Sequence, residues 1–283
     1  MEPAPASLSV GTPHARRSDE WRPLACTWGP RTHDRGSTDK GPAGGLRRGA
    51  LLVRGRPDAS LETRDPRLLP ALRSHDRGFE AGAELFGIGA SPDCIHNLID
   101  GWVALYTLLE DGRRQIVQFA LPGALFGIFG ATGERATYGA QALTDGLVCV
   151  IPHPVLTSSL REDSEVAMRL LRSLSRDRTL AFDHLTSIGR RNARERVACL
   201  ILELFVRRRA QWPGSRIEEM YLPLTQEHLG DATGLTFVHV NRVLRGLRRE
   251  GVVEFHHRRL RILDPDRLVE VAGVDYHAAM AWL

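Results

Sequence analysis

Lysine is almost absent. Lys40 is the single lysine among 283 residues, and arginine makes up the rest of the 38 basic side chains. Codon usage in a GC-rich genome accounts for that bias, so no function is read from it. Cysteine is sparse: Cys26, Cys94, Cys149 and Cys199 stand far apart, with no CxxC pair. A zinc ribbon and a thioredoxin-type redox motif are therefore excluded, and scattered reduced thiols fit a cytoplasmic protein. No apolar run is long enough to span a bilayer, so no membrane partner is expected. The opening MEPAPASLSV lacks the basic-then-apolar order of a signal peptide. Neither a Ser-His-Asp arrangement nor paired carboxylates in a supporting context is found, which argues against an enzyme and against catalytic residues. Gly127, Gly130 and Gly133 make a GxxGxxG spacing, but no βαβ unit surrounds it, and a bare glycine spacing does not define a dinucleotide site. The histidines are scattered. His96 and His153 read as structural residues rather than haem ligands, and His256-His257 as phosphate contacts or solvated residues, so no metal site is expected.

What is present is concentrated at residues 222–262. Thr225 is a good N-cap, followed by Gln226 and Glu227 in the first turn of a short helix. Gly230 stands where a second helix must cross closely, and Gly234 where the chain must turn through positive φ. Thr236 caps a second helix. Its Val240, Val243, Leu244 and Leu247 recur at i, i+3, i+4, i+7 and form one apolar face. Val238, Asn241, Arg242 and Arg245 lie opposite. Gly251 ends that helix, and Val252, Val253, Phe255, Leu260 and Ile262 read as the two strands of a wing with His256–Arg259 at its tip. From 236 to 261 there are seven Arg and two Glu, so 7 − 2 = +5, whereas the whole chain carries only +4. A locally basic helix-turn-helix with a wing is the electrostatic footprint of a phosphate-binding surface.

The rest of the chain divides by texture. Residues 1–65 are rich in Pro, Gly, Arg and Ser and poor in aliphatic residues, and are expected to be a disordered tail. From about 66 to 77, the run DPRLLPALRSHD reads as a short helix. Short alternating runs to residue 153, including a hairpin about Asp111-Gly112, predict a β-roll or jelly roll over 66–153. Over 154–190 the pattern becomes helical, with a narrow stripe through Leu170, Leu174, Ala181, Leu185 and Ile188. Asn192 caps a further helix over 193–209, the winged helix-turn-helix runs over 191–270, and 271–283 is expected to be a C-terminal tail. The fold class expected is α+β: an N-terminal jelly-roll-like β-roll, a long helix and a C-terminal winged helix-turn-helix.

Two stretches resemble the Crp/Fnr family of bacterial regulators. In the C-terminal part the matching residues are Leu224–Glu227, Thr233–Thr236, Val240–Leu244 and Ile262–Asp264; in the roll they are Gly82, Leu85-Phe86, Gly89, Gly101, Asp111–Arg113, Leu121–Gly123, Phe126-Gly127 and Ala142–Asp145. Together they cover roughly residues 75–265, in the family's order. The resemblance implies a homodimer that binds double-stranded DNA, with the long helix as the dimer seam. It also implies RNA polymerase and a small-molecule effector as further partners. Arg242 takes the family's base-reading Arg position, suited to guanine O6 and N7, and Asn241 suits adenine. Val238 replaces the family's common reading Glu and suits a thymine methyl. Thr225, Thr236, His239, Arg245 and Arg258 are expected at backbone phosphates. The effector pocket maps to Gly127, Ile128, Arg135, Ala136 and Thr137. Ile128 replaces the Glu that holds the ribose in cyclic-nucleotide-binding relatives, which argues against cyclic AMP. Cys26 alone cannot hold the iron–sulfur cluster of oxygen-sensing relatives. The function expected is a cytoplasmic, homodimeric, sequence-specific DNA-binding transcriptional regulator whose roll senses a small molecule or redox signal. The alternative is a ligand-binding module whose helix-turn-helix serves protein contacts or non-specific DNA binding. An enzyme built on the roll, as in cupins, would need a His/Glu cluster, and the roll offers only His96.

Overall fold

Between residues 75 and 152 the chain builds short strands joined at tight turns. In a computed structural model, residues 75–91, 93–128, 135–210, 219–275, 279 and 282 are described. The expected disordered tail at 1–65 lies outside them. The strands are β1 (His75–Phe79), β2 (Glu84–Phe86), β3 (Cys94–Asp100), β4 (Val103–Leu108), β5 (Arg114–Ala120), β6 (Leu125–Phe126), β7 (Gly139–Ala142) and β8 (Gly146–Pro152). Two antiparallel four-stranded sheets result, ordered β1-β8-β3-β6 and β2-β7-β4-β5. Phe79, Leu98, Val103, Leu105, Phe126 and Val148 fill the space between them. The β4–β5 hairpin turns at Asp111, whose carboxylate accepts from the Arg113 N–H at 3.0 Å, and at Gly112 with φ 83°. The short helix expected over 66–77 is not formed in its described part, since His75–Arg77 pair with β8 as strand β1.

The helical part begins with α1 (His153–Glu162) and α2 (Ser164–Arg190). One continuous helix was expected over 154–190. Asp163 breaks it: its backbone is extended, and its side chain caps α2 by accepting from the Glu165 N–H. Next come α3 (Ala193–Ala210), α4 (Gln226–Thr233), α5 (Phe237–Arg249) and α6 (Pro265–Ala272). Asn192 caps α3 as expected, its Oδ1 accepting from Arg194 and Glu195 N–H groups. α3 is buried from Val197 through Phe205 on nearly every face, so it is the central post of the C-terminal half. Strands β10 (Val253–His256) and β11 (Arg259–Ile262) form the wing, and β9 (Glu219–Tyr221) adds a third strand the sequence did not reveal. Among the described residues of the expected C-terminal tail, Val274, Ala279 and Trp282 join the core cluster around α3. The fold is mixed α+β. No helix among the described residues is long and apolar enough to cross a membrane.

Candidate nucleic-acid interface

Local chemistry sets the geometry of the helix pair. Thr225 Oγ1 accepts from the His228 N–H at 3.1 Å, and His228 Nδ1 accepts in return from the Thr225 N–H at 3.3 Å. This is a capping box closed by a histidine instead of the usual Glu or Gln. At the other end of α4, Gly234 takes φ 67°, and a Cβ at Gly230 would stand 2.5 Å from the Leu235 carbonyl oxygen. Only glycine fits that crossing. Thr236 then caps α5, its hydroxyl accepting from the His239 N–H at 3.3 Å.

α5 buries Val240, Leu244 and Leu247 against Leu229, Val252, Val253 and Leu260. Its other face is open. Val238, His239, Arg242 and Arg245 are exposed, and Asn241 is half-buried at the edge. Neighbouring acids are engaged elsewhere: Glu250 with Arg194, and Glu254 with Arg248 at 3.6 Å. Arg242 and Arg245 therefore stand on an uncompensated basic face. The wing tip adds to it. His257 and Arg258 hold φ 49° and 61°, a left-handed pair in a two-residue hairpin turn. The Arg258 carbonyl accepts from the Leu222 N–H at 2.8 Å, which anchors the turn, while the side chain is exposed. Of the residues expected at phosphates, His239, Arg245 and Arg258 are free for that role. The Thr225 and Thr236 hydroxyl oxygens accept in their caps, which leaves each O–H able to donate to a phosphate.

Strand β5 carries hydrogen bonds from the roll to α2, α3 and α4. Along β5, Arg114 Nε meets Asp231 Oδ2 of α4 at 2.8 Å, and the Gln115 side chain donates to the Ala232 carbonyl at 3.3 Å. Gln118 donates to Asp177 of α2 at 3.0 Å. The Phe119 carbonyl accepts from Arg207 of α3 at 3.0 Å, and the Val117 carbonyl from His184 Nδ1 of α2 at 3.1 Å. None of these pairings was readable from the sequence, because no periodicity links residues 59 to 117 positions apart. Arg114 and Asp231 are each about a quarter exposed, so solvent weakens the pair. A cycle of Arg114→Ala and Asp231→Ala should give a coupling of roughly 0.5–1 kcal/mol in urea unfolding, shrinking as salt rises. Strict additivity would show that the contact does not couple the two parts.

The residues assigned to an effector pocket each have their own surroundings. Gly127 donates its N–H to the Tyr138 hydroxyl at 3.0 Å, and Ile128 packs on a separate small cluster with Leu156. Ala136 is buried and pairs its backbone with Ala90, while Thr137 is exposed. Arg135 is exposed and donates to the Gly89 carbonyl at 3.1 Å, so its guanidinium is tied to the rim. Residues 129–134 lie outside the described ones. Beneath Gly127 sits His96, buried, with its ring 5.4 Å from Phe126 and 5.5 Å from Phe86. Among the described residues, no group of three or more His, Cys, Asp or Glu is placed to hold a metal ion.

α2 presents an apolar stripe to solvent. Met168, Leu171, Leu174, Phe182, Leu185 and Ile188 are exposed, as is Ala181. Of the expected seam residues, Leu174, Ala181, Leu185 and Ile188 lie on that face. Leu170 instead packs on the roll-side cluster with Ile95, Ile151 and Leu156, and Leu171 takes its place on the open side.

Two family models match. Residues 76–163 fit the cyclic nucleotide-binding domain, and residues 195–271 the Crp-like helix-turn-helix domain. The chain is 32% identical over 195 residues to the nitrogen fixation regulation protein FixK of Bradyrhizobium diazoefficiens, covering 69% of this chain and 81% of that protein. It is 31% identical over 206 residues to the transcriptional activator protein FnrL of Cereibacter sphaeroides, covering 70% and 81%. Among solved structures, FixK2 from Bradyrhizobium japonicum superposes with a TM-score of 0.64 at 29% identity, over 72% of this chain and all of that one.

Proposed function

Because this chain belongs to the Crp/Fnr family of DNA-binding transcriptional regulators, we propose that it acts as a homodimer that reads a two-fold symmetric operator. The observation that carries this reading is the open face of α5. Val238, Asn241 and Arg242 lie opposite the buried Val240, Leu244 and Leu247, in a +5 surround. Arg242 pairs with guanine in bidentate fashion, Asn241 with adenine, and His239, Arg245 and Arg258 seat the phosphates. The exposed stripe on α2 supports the dimer, with Leu171, Leu174, Ala181, Leu185 and Ile188 buried against a second copy. Two copies then set their α5 helices one DNA turn apart, roughly 34 Å. Such a regulator works in the bacterial cytoplasm, where the DNA is.

The roll is the sensing part, and its signal shifts the dimer between geometries of different operator affinity. A signal other than cyclic AMP is favoured, since Ile128 follows Gly127 and Arg135 is tied to Gly89. RNA polymerase is the partner through which bound dimer alters transcription.

The test is selection of bound sequences from a random duplex pool with the purified full chain. An enriched palindrome with half-sites about one turn apart is the expected result. Salt-sensitive binding without any enriched sequence would overturn operator reading and leave a non-specific basic face. On the enriched site, Arg242→Ala is expected to cost about 1–3 kcal/mol of specific binding and to relax preference at one position per half-site. A variant with unchanged affinity and preference would remove Arg242 from the reading set.

A further inference from the structure

The first turn of α5 exposes two large apolar side chains side by side. Phe237 is 56% exposed and Val238 52%. Both are close to the Thr236 cap, at the end of a recognition helix that reaches base edges. Around the helix axis, Phe237 shares an edge with Asn241, and Val238 stands in line with Arg242 and Arg245, at the i, i+4 and i, i+7 spacings of neighbours. The apolar pair is thus set among the groups that suit adenine, guanine and phosphate. In the major groove the apolar feature that a base pair offers is the thymine C5-methyl. The cations on the same face match the charge of DNA.

We propose that Phe237 and Val238 together form a methyl-reading contact, so that the operator of this protein carries thymine at the positions facing the start of α5 and is recognised there by the methyl group. This rests on the operator reading proposed above. Asn241 and Arg242 then supply hydrogen-bond readout, and the Phe237–Val238 pair supplies the recognition of the thymine methyl that hydrogen bonds do not make.

Deoxyuridine keeps every hydrogen-bonding group of thymine and lacks the methyl, so it isolates this contact. The operator found by selection is resynthesised with deoxyuridine at each thymine in turn, symmetrically in both half-sites. Binding of the full-length chain is followed by fluorescence anisotropy. At least one symmetric replacement is expected to weaken binding about 15-fold, which is about fourfold for each methyl left unburied. Phe237→Ala and Val238→Ala should bind the thymine operator more weakly and show a much smaller deoxyuridine effect at that position. Thermal unfolding of both variants should match the parent, since both side chains are exposed. An operator with no thymine sensitive to the replacement overturns the proposal while leaving operator reading intact. So do variants that keep the full deoxyuridine effect. Failure to select any sequence overturns operator reading itself, and the methyl contact with it.

Discussion

Glu203→Ala is expected to destabilise the folded chain by about 3–5 kcal/mol, among the largest losses any single truncation here should cause. The carboxylate is 1% exposed in the middle of α3. One oxygen accepts from His184 Nε2 at 2.6 Å and the other from Arg207 at 2.8 Å. His184 donates its second ring N–H to the Val117 carbonyl, so with Glu203 ionised both ring nitrogens carry protons and the ring is an imidazolium. Burial alone would lower its pKa, but Glu203 beside it and the Val117 carbonyl outweigh that and hold it above the usual histidine range. Burial would likewise raise Glu203, yet the two cations hold its carboxyl below the ordinary value. Removing the carboxylate leaves Arg207 buried without its counter-ion and strips His184 of the group that keeps it protonated, with Asp177, held by Gln118, and Asp183, paired with Arg191, as the acids still nearby. Replacing all three residues together, as His184→Leu, Glu203→Leu and Arg207→Met, should cost far less than Glu203→Ala, because no buried charge is then left unpaired. Urea unfolding at neutral pH checks both. A cost below about 1 kcal/mol for Glu203→Ala would mean that water reaches the Arg207 guanidinium and that the network is not a buried one. Because His184 is raised, its contribution is fully present below the unfolded pKa of about 6.5 and is lost as pH rises through the folded value.

The elements that depend on neighbours in sequence were legible; the joints between them were not. The Thr225 and Thr236 caps, the Gly234 turn, the close crossing at Gly230 and the buried face of α5 all follow from spacing within a dozen residues, and the structure places each as read. The Asp111-Gly112 hairpin follows in the same way. Leu170 and Leu171 show the limit of periodicity. Both fit a helical stripe, and only the packing of α2 on the roll decides which is covered. The break at Asp163 hides inside a helical pattern because its residues are compatible with helix on both sides. The exposure of Phe237 is visible only once the helix is seated, because a large apolar side chain beside an apolar face fits a core position equally well. Glu203 is the opposite case. A Glu–Arg pair at i, i+4 on a helix usually means a solvated face, and here the helix is covered on nearly every side.

His96→Phe is expected to remove most of the acid sensitivity of the roll between pH 6.5 and 4. His96 lies on β3, 4% exposed, stacked on Phe126 and tilted against Phe86. Among the described residues its Nδ1 has no hydrogen-bond partner, and its Nε2 meets only the Cys94 sulfur at 3.9 Å. A charged imidazolium there would lose its hydration without a counter-ion, and Arg77 nearby adds repulsion. Burial first and Arg77 second therefore push its pKa down from 6.5 to about 4. In the unfolded chain the same ring takes up a proton near pH 6.5, so the unfolded state binds the extra proton throughout the window and stability falls as pH drops. The loss should reach about 3 kcal/mol by pH 4 and level off below it. Glu203 and the other low-pKa carboxyls act lower, below the ordinary carboxylate range, so the upper part of the window belongs to His96 in the roll and to His228 in α4, whose pKa burial also lowers. Phenylalanine keeps the aromatic stack and removes the orphaned nitrogen, so stability at pH 7 should be equal or higher. Urea midpoints of parent and variant from pH 7.5 to 4 decide the matter. A variant curve that falls as steeply as the parent's would place the acid-sensitive group elsewhere. Since His96 Nδ1 stands 3.2 Å from where a Gly127 side chain would begin, the ring also explains why that position must be glycine in its φ 84° turn. The protonation of His96 and the conformation of the chain at Gly127, where the resemblance puts the effector, are therefore one problem in packing.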